Sequence, residues 1–141
     1  MRILILEDNL ERYKVFDKTL FSGMLLKYQA QPNHKTVDWV KHTEEAIELL
    51  AHEEFDFLFL DHDLDGKVYQ ESGPGTGYEV AEWLADHPER KPKNIILHTL
   101  HQQGAINMKA KLPEAVYFPF VWNNTWDSFI NKLEKVKIKG D

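Results

Sequence analysis

Two uninterrupted apolar runs, Ile3-Leu4-Ile5-Leu6 and Phe57-Leu58-Phe59-Leu60, constrain this chain more than any other feature. Each has strand length and no polar alternation, the pattern of a strand buried on both faces of its sheet. Each also ends in acids, Glu7-Asp8 after the first and Asp61-His62-Asp63 after the second. Segments of helical period separate such runs along the chain. That alternation predicts a parallel sheet covered by helices on both faces.

The first strand is expected over Arg2 to Leu6. Asp8 or Asn9 then caps a helix whose apolar face is Leu10, Tyr13, Phe16 and Leu20, ending near Gly23. Met24 to Lys35 reads as a loop leading to a second strand near Thr36 to Lys41. Thr43 is the expected cap of the next helix, with Glu44 and Glu45 in its first turn and Ala46, Ile47, Leu49 and Leu50 inward. The third strand spans Phe55 to Leu60. A loop containing Gly and Pro, Leu64 to Gly77, leads to a helix over Tyr78 to Asp86 with Val80, Ala81 and Leu84 inward. Pro88 and Pro92 precede a fourth strand, Asn94 to Leu97, then a shorter helix around Ala105 to Lys111 and a fifth strand, Ala115 to Phe118. A last helix is expected within Trp122 to Lys139, capped by Thr125 or Asn124.

Five such units in 141 residues predict one doubly wound α/β domain over 1–141, with strand order 2-1-3-4-5. With 43% hydrophobic residues the chain can bury a single core without staples, and the absence of cysteine excludes disulfides, thiol nucleophiles and thiolate metal sites. A net charge of −6 argues against a nucleic-acid duplex as partner. No apolar run approaches the roughly 20 residues that span a bilayer. A soluble, cytoplasmic protein is the expectation.

Ligands of such sheets sit at the carboxyl ends of the strands, at the switch point between strands one and three. The topology brings Glu7, Asp8, Asp61 and Asp63 to that crevice. Carboxylates packed this closely repel, and a hard divalent cation with oxygen ligands relieves them. Mg²⁺ is the expected ion. The bland alternative is that Asp8 caps a helix while Asp61 and Asp63 shape a turn. Ser72-Gly73-Pro74-Gly75-Thr76-Gly77 lacks a phosphate-loop ending and reads as a lid, or as a turn before a helix capped by Thr76.

Ile3 to Asn9, Phe55 to Asp61, Gly77-Tyr78-Glu79-Val80-Ala81, Ile95 to Thr99 and Phe118-Pro119-Phe120 together resemble a response-regulator receiver domain, a flavodoxin-like fold, over almost the whole chain. The resemblance implies that Glu7 and Asp8 are the metal-binding acid pair and Asp61 the phosphoacceptor. It likewise makes Asp63 the donor of a backbone carbonyl to the metal and Thr99 the switch hydroxyl. Receivers place a lysine before the Pro-Phe that closes strand five; here the residue is Phe118, and an aromatic ring cannot neutralise a phosphoryl group. Lys67 in the loop is the candidate to swing over the pocket instead, against the plainer reading of a solvated loop lysine. Asp61-His62-Asp63-Leu64, the long loop to Thr76-Gly77-Tyr78-Glu79-Val80-Ala81, and His98-Thr99 followed by Gly104 and Met108 resemble an atypical receiver branch that lacks the lysine, the cyclic-phosphate-processing receiver domains.

Opening a cyclic phosphodiester needs a base, an acid and positive charge on the phosphoryl oxygens. Imidazole is the side chain that gains and loses a proton near neutrality, so His62 and His98 are the candidates for the first two tasks. A metal on Asp8 and Asp61 supplies the third. Strand alternation sends His98 and Thr99 to opposite sides, leaving open which of them faces the pocket. His101 stands nearby on an expected loop and ranks lower. The implied ligand is a small phosphorylated or cyclic-phosphate compound. A protein partner at the face of the fourth helix and fifth strand fits a second reading, a stand-alone receiver phosphorylated on Asp61. A third reading is a pseudo-receiver that only binds a partner.

Overall fold

Alternation along the three central strands splits the core in two. The computed structural model describes residues 1–27 and 36–120. Its strands are β1 (Arg2–Leu6), β2 (Thr36–Val40), β3 (Phe57–Leu60), β4 (Asn94–Leu97) and β5 (Val116–Tyr117), all parallel, in the order β2-β1-β3-β4-β5. This is the flavodoxin-like order expected from the sequence. Leu4, Leu6, Leu58, Leu60, Ile95 and Leu97 face one side, while Ile3, Ile5, Phe57, Phe59 and Ile96 face the other.

Three helices cover the leucine face: α3 (Thr43–His52), α4 (Gly77–Asp86) and α5 (Gln102–Lys111). They bury Ala46, Leu50, Val80, Ala81, Leu84 and Met108 against it. The aromatic face receives one continuous helical stretch, α1 (Leu10–Val15), a π-helical turn over Phe16–Phe21, and α2 (Ser22–Lys27). Phe16, Leu20, Phe21 and Met24 are fully buried there, with Phe16 and Phe21 each packed on Phe59. No helix among the described residues is long and apolar enough to cross a membrane.

Several boundaries differ from the sequence reading. The first helix passes Gly23 and continues to Lys27. Within it Thr19 Oγ1 donates to the Val15 carbonyl at 2.6 Å, taking the acceptor of a normal α-helical bond where the ladder widens. Asn9 caps α1, its Oδ1 accepting from the Arg12 amide at 3.0 Å. Thr43 is the first helical residue of α3 instead of its cap, and its hydroxyl donates to Glu79 Oε1 at 3.1 Å, tying α3 to α4. β3 begins at Phe57 because Asp56 is turned onto β1, where its Oδ2 accepts from the Arg2 amide at 2.9 Å. β5 shortens to two residues, and α5 starts earlier, at Gln102. The expected last helix over Trp122 to Lys139, and most of the loop expected over Met24 to Lys35, lie outside the described residues.

Thr76 precedes α4, and its hydroxyl both donates to the Gly73 carbonyl and accepts from the Gly73 amide, locking the turn. Gly77 then passes so close to the end of β3 that a Cβ there would overlap the Asp61 carbonyl. The glycine lets α4 begin directly against the strand that carries the acids.

Candidate functional site

Strand register assembles the site. Leu6 pairs with Leu60 and Leu60 with Leu97, so the residues that follow, Glu7, Asp61 and His98, form a row across β1, β3 and β4. Alternation turns that row toward α1. Glu7 and His98 are fully buried and Asp61 is only 2% exposed.

Within the row the partners are unequal. Both Glu7 carboxylate oxygens are taken, Oε1 by His98 Nε2 at 3.1 Å and Oε2 by the Asn9 amide at 3.0 Å. Asp61 Oδ1 accepts from the His62 amide at 2.9 Å, but its Oδ2 is buried without a hydrogen-bond partner. Arg12 reaches over from α1, its Nη1 lying 3.5 Å from Asp61 Oδ2 and 3.7 Å from Glu7 Oε1.

Burial raises the Glu7 carboxyl, but the His98 contact, the Asn9 amide and Arg12 outweigh it and hold the group below its usual range. Asp61 goes the other way. Burial, with the Glu7 charge added, pushes it up to about 7 against the opposing pull of His98 and Arg12. Asp8 is raised as well, by burial and by Glu7, despite the bond from the Gly66 amide. Burial thus works against ionisation of both Asp8 and Asp61. A buried carboxylate oxygen with no hydrogen bond, in a cavity bordered by a second carboxylate, suits a hard divalent ion, which Asp8 and Asp61 would hold.

The sign of the resulting pH dependence follows from linkage. The Asp61 carboxyl is raised above its ordinary value of 3.8, so its contribution to stability is complete below about 3.8 and gone above about 7. Asp61→Asn removes that loss. In chelator, the melting temperature of the variant minus that of the natural protein is expected to grow as pH rises from 5 to 8. Calorimetry at both pH values measures it, and a flat difference would contradict the assignment.

A cavity of about 250 Å³ opens beside the row, bordered by Asp8, Arg12, Asp61, Asp63, Thr99 and His101 and rimmed by Gly66 to Tyr69 of the loop. A larger cavity of about 730 Å³ lies at the opposite end of the sheet, among Arg2, Glu53, Phe55 and Arg90. Its charges are spent on structure: Arg2 pairs with Glu53 at 2.9 Å and Arg90 Nε donates to the Leu50 carbonyl. Asp8, Asp61, Asp63 and Thr99 line the smaller cavity and not this one.

Asp63 organises its second wall. Its Oδ1 accepts from His62 Nδ1 at 2.7 Å, His101 Nδ1 at 3.0 Å and the Gln70 amide at 3.2 Å, and its Oδ2 from the Tyr69 amide at 2.7 Å. Burial opposes ionisation of Asp63, yet these donors hold it below the usual range. An ionised carboxylate only accepts, so both imidazoles carry their proton on Nδ1. Burial lowers His62, which keeps it neutral, and its Nε2 then accepts from Ser72 Oγ at 2.9 Å while Asn107 donates to the same oxygen. Tyr69 adopts φ 54°, a left-handed conformation fixed by its amide on Asp63.

The sequence candidates thus divide. Asp8, Asp61, Asp63 and Thr99 border the cavity, whereas Glu7, His62 and His98 stand behind its wall. His62 is fully buried and faces α5, where a Cβ on Gly104 would come within 2.5 Å of its ring. His98 packs its ring edge on Phe16 at 4.9 Å. His101 and Arg12 reach the cavity instead. Arg12 stands in the first turn of α1, three residues after its Asn9 cap. Lys67 sits on the exposed rim.

Among curated proteins, none matches the chain. Solved structures do. The response regulator TrrA of Thermotoga maritima in complex with Mg²⁺ and BeF is 22% identical with a TM-score of 0.55, over 96% of this chain and 98% of that one. The chemotaxis protein CheY4 of Vibrio cholerae is 16% identical with a TM-score of 0.61, over 96% and 98%. The Mn²⁺-bound response regulator Rcp1 is 15% identical with a TM-score of 0.61, over 97% of each. These likenesses establish the receiver fold. The family model described as the cyclic-phosphate processing Receiver domain matches residues 3–114, which take in every strand but β5 and both walls of the cavity. On that match the chain belongs to the cyclic-phosphate processing receiver domain family.

Proposed function

We propose that the cavity opens a cyclic phosphodiester to a phosphomonoester, with a divalent cation such as Mg²⁺ held by Asp8 and Asp61. One observation carries the reading: the cavity joins a buried carboxylate oxygen that accepts no hydrogen bond, Asp61 Oδ2, to an imidazole, His101, whose Nδ1 is fixed on Asp63. The family's description supports the substrate class. The cation, when bound, supplies Lewis-acid stabilisation of the phosphoryl oxygens.

The chain's own groups move the protons. With the Nδ1 proton committed to Asp63, His101 Nε2 is the basic nitrogen. It removes a proton from the attacking water as the new P–O bond forms, and the protonated ring returns a proton to the ring oxygen that leaves when the old P–O bond breaks. Thr99 Oγ1 accepts from the His101 amide at 3.0 Å and sets its backbone at the end of β4. His62 acts through Asp63, and His98 through Glu7, as positioning residues.

A second reading is an acyl phosphate on Asp61 that signals through the face of α5 and β5. Asp61 Oδ2, which accepts no hydrogen bond, and the exposure of Ile106 and Val116 on that face favour it. Phosphorus NMR with Mg²⁺ separates the two, using acetyl phosphate and, separately, 2′,3′- and 3′,5′-cyclic nucleotides. Conversion of a cyclic diester signal to a monoester is expected. Unchanged cyclic nucleotides together with a new acyl-phosphate signal would overturn the first reading in favour of the second.

A further inference from the structure

Arg12 carries donors that the folded protein does not use. Its Nε is buried with no hydrogen-bond partner, and its Nη1 stays 3.5 and 3.7 Å from the nearest carboxylate oxygens. Charge-assisted bonds between these groups close to about 2.7–2.9 Å when they form. A buried, unsatisfied cationic donor is costly and persists where something else completes it. The side chain is one-quarter exposed and borders the cavity that Asp61 and Asp8 share.

The group is also well placed. Asn9 holds the Arg12 amide, and the guanidinium carbon lies 5.9 Å from the centre of the Phe120 ring. Of the described residues bordering the cavity, Arg12 and Lys67 carry lysine or arginine cations, and Lys67 stands on the exposed loop. The β5 edge contributes Phe118, which packs into the aromatic core.

We infer that Arg12 is the oxyanion anchor of this site, the fixed guanidinium that receives the non-bridging oxygens of a phosphoryl group. The inference rests on the phosphoester reading above and adds the residue that recognises the phosphoryl group. Nε lies buried, so the two Nη groups at the end of the guanidinium form the fork of donors, and a phosphodiester presents two equivalent non-bridging oxygens to such a fork. The positive charge that β5 lacks is thereby supplied from α1, on the opposite side of the acid row.

Inorganic phosphate is the probe, titrated calorimetrically at pH 8 with Mg²⁺ present, against the natural protein, Arg12→Gln and Arg12→Lys. Mg²⁺ alone is titrated in parallel, and circular dichroism reports folding. Phosphate affinity is expected to fall at least 30-fold in Arg12→Gln and about tenfold in Arg12→Lys, which keeps the charge and loses the fork, while Mg²⁺ affinity is retained or improves. Phosphate affinity within twofold of the natural protein in a folded Arg12→Gln would overturn the inference. If that variant does not fold, the same result in Arg12→Lys would do so. Because binding is read without turnover, phosphate bound through Arg12 but no cyclic substrate opened would sink the phosphoesterase reading alone. Cyclic substrate opened equally well by Arg12→Gln would sink the anchor alone.

Discussion

Asp61→Asn is expected to abolish Mg²⁺ binding at the cavity and to lower cyclic phosphodiester turnover by about 10³-fold or more. The substitution removes the one buried carboxylate oxygen in the row that no hydrogen bond satisfies and replaces its charge with a neutral amide. The fold should tolerate it, since burial already pushes this carboxyl up to about 7 and so favours a neutral group there. Titrating Mg²⁺ calorimetrically and following turnover by phosphorus NMR test both parts. Retained Mg²⁺ affinity in a folded variant would move the cation site away from Asp61.

The second large effect concerns the other wall. His101→Gln is expected to lower turnover by about 10²–10⁴-fold, the range for loss of a general base, while Mg²⁺ binding stays unchanged. Asp63→Asn should lower it too, for a different reason. An amide offers one acceptor oxygen where the carboxylate now serves two imidazoles and two backbone amides, so the His101 proton is no longer confined to Nδ1. Turnover by a folded His101→Gln within twofold of the natural protein, followed by phosphorus NMR, would remove His101 from the reaction.

The sequence made most of the sheet legible because its strands are short, apolar and bounded by acids, Pro or Gly; β1 and β4 fall where the runs Arg2 to Leu6 and Asn94 to Leu97 place them. Asp61 and Asp8 were equally readable, since strand order alone brings them together. His62 was not. Its place between two acids suggests chemistry, but strand alternation turns it to the opposite face, and the room it occupies there depends on Gly104, far along the chain. Arg12 was hidden for the reverse reason: one basic residue on an amphipathic helix resembles any solvated charge until the helix is docked. The π-helical turn depends on the single hydroxyl of Thr19, which periodicity does not reveal.

The register that aligns Glu7, Asp61 and His98 also fixes how binding is felt by the rest of the molecule. The three residues follow β1, β3 and β4, which lie inside the sheet with neighbours on both sides, so no edge strand contributes to the row. Slipping any one of them by a single residue would turn its member of the row to the opposite face. Loss of the site therefore requires opening of the most protected part of the molecule, and a ligand held there slows amide exchange across the whole sheet. The rim, Gly66 to Tyr69, is exposed, yet its Gly66 and Tyr69 amides donate to Asp8 and Asp63, so their exchange reports the site as well.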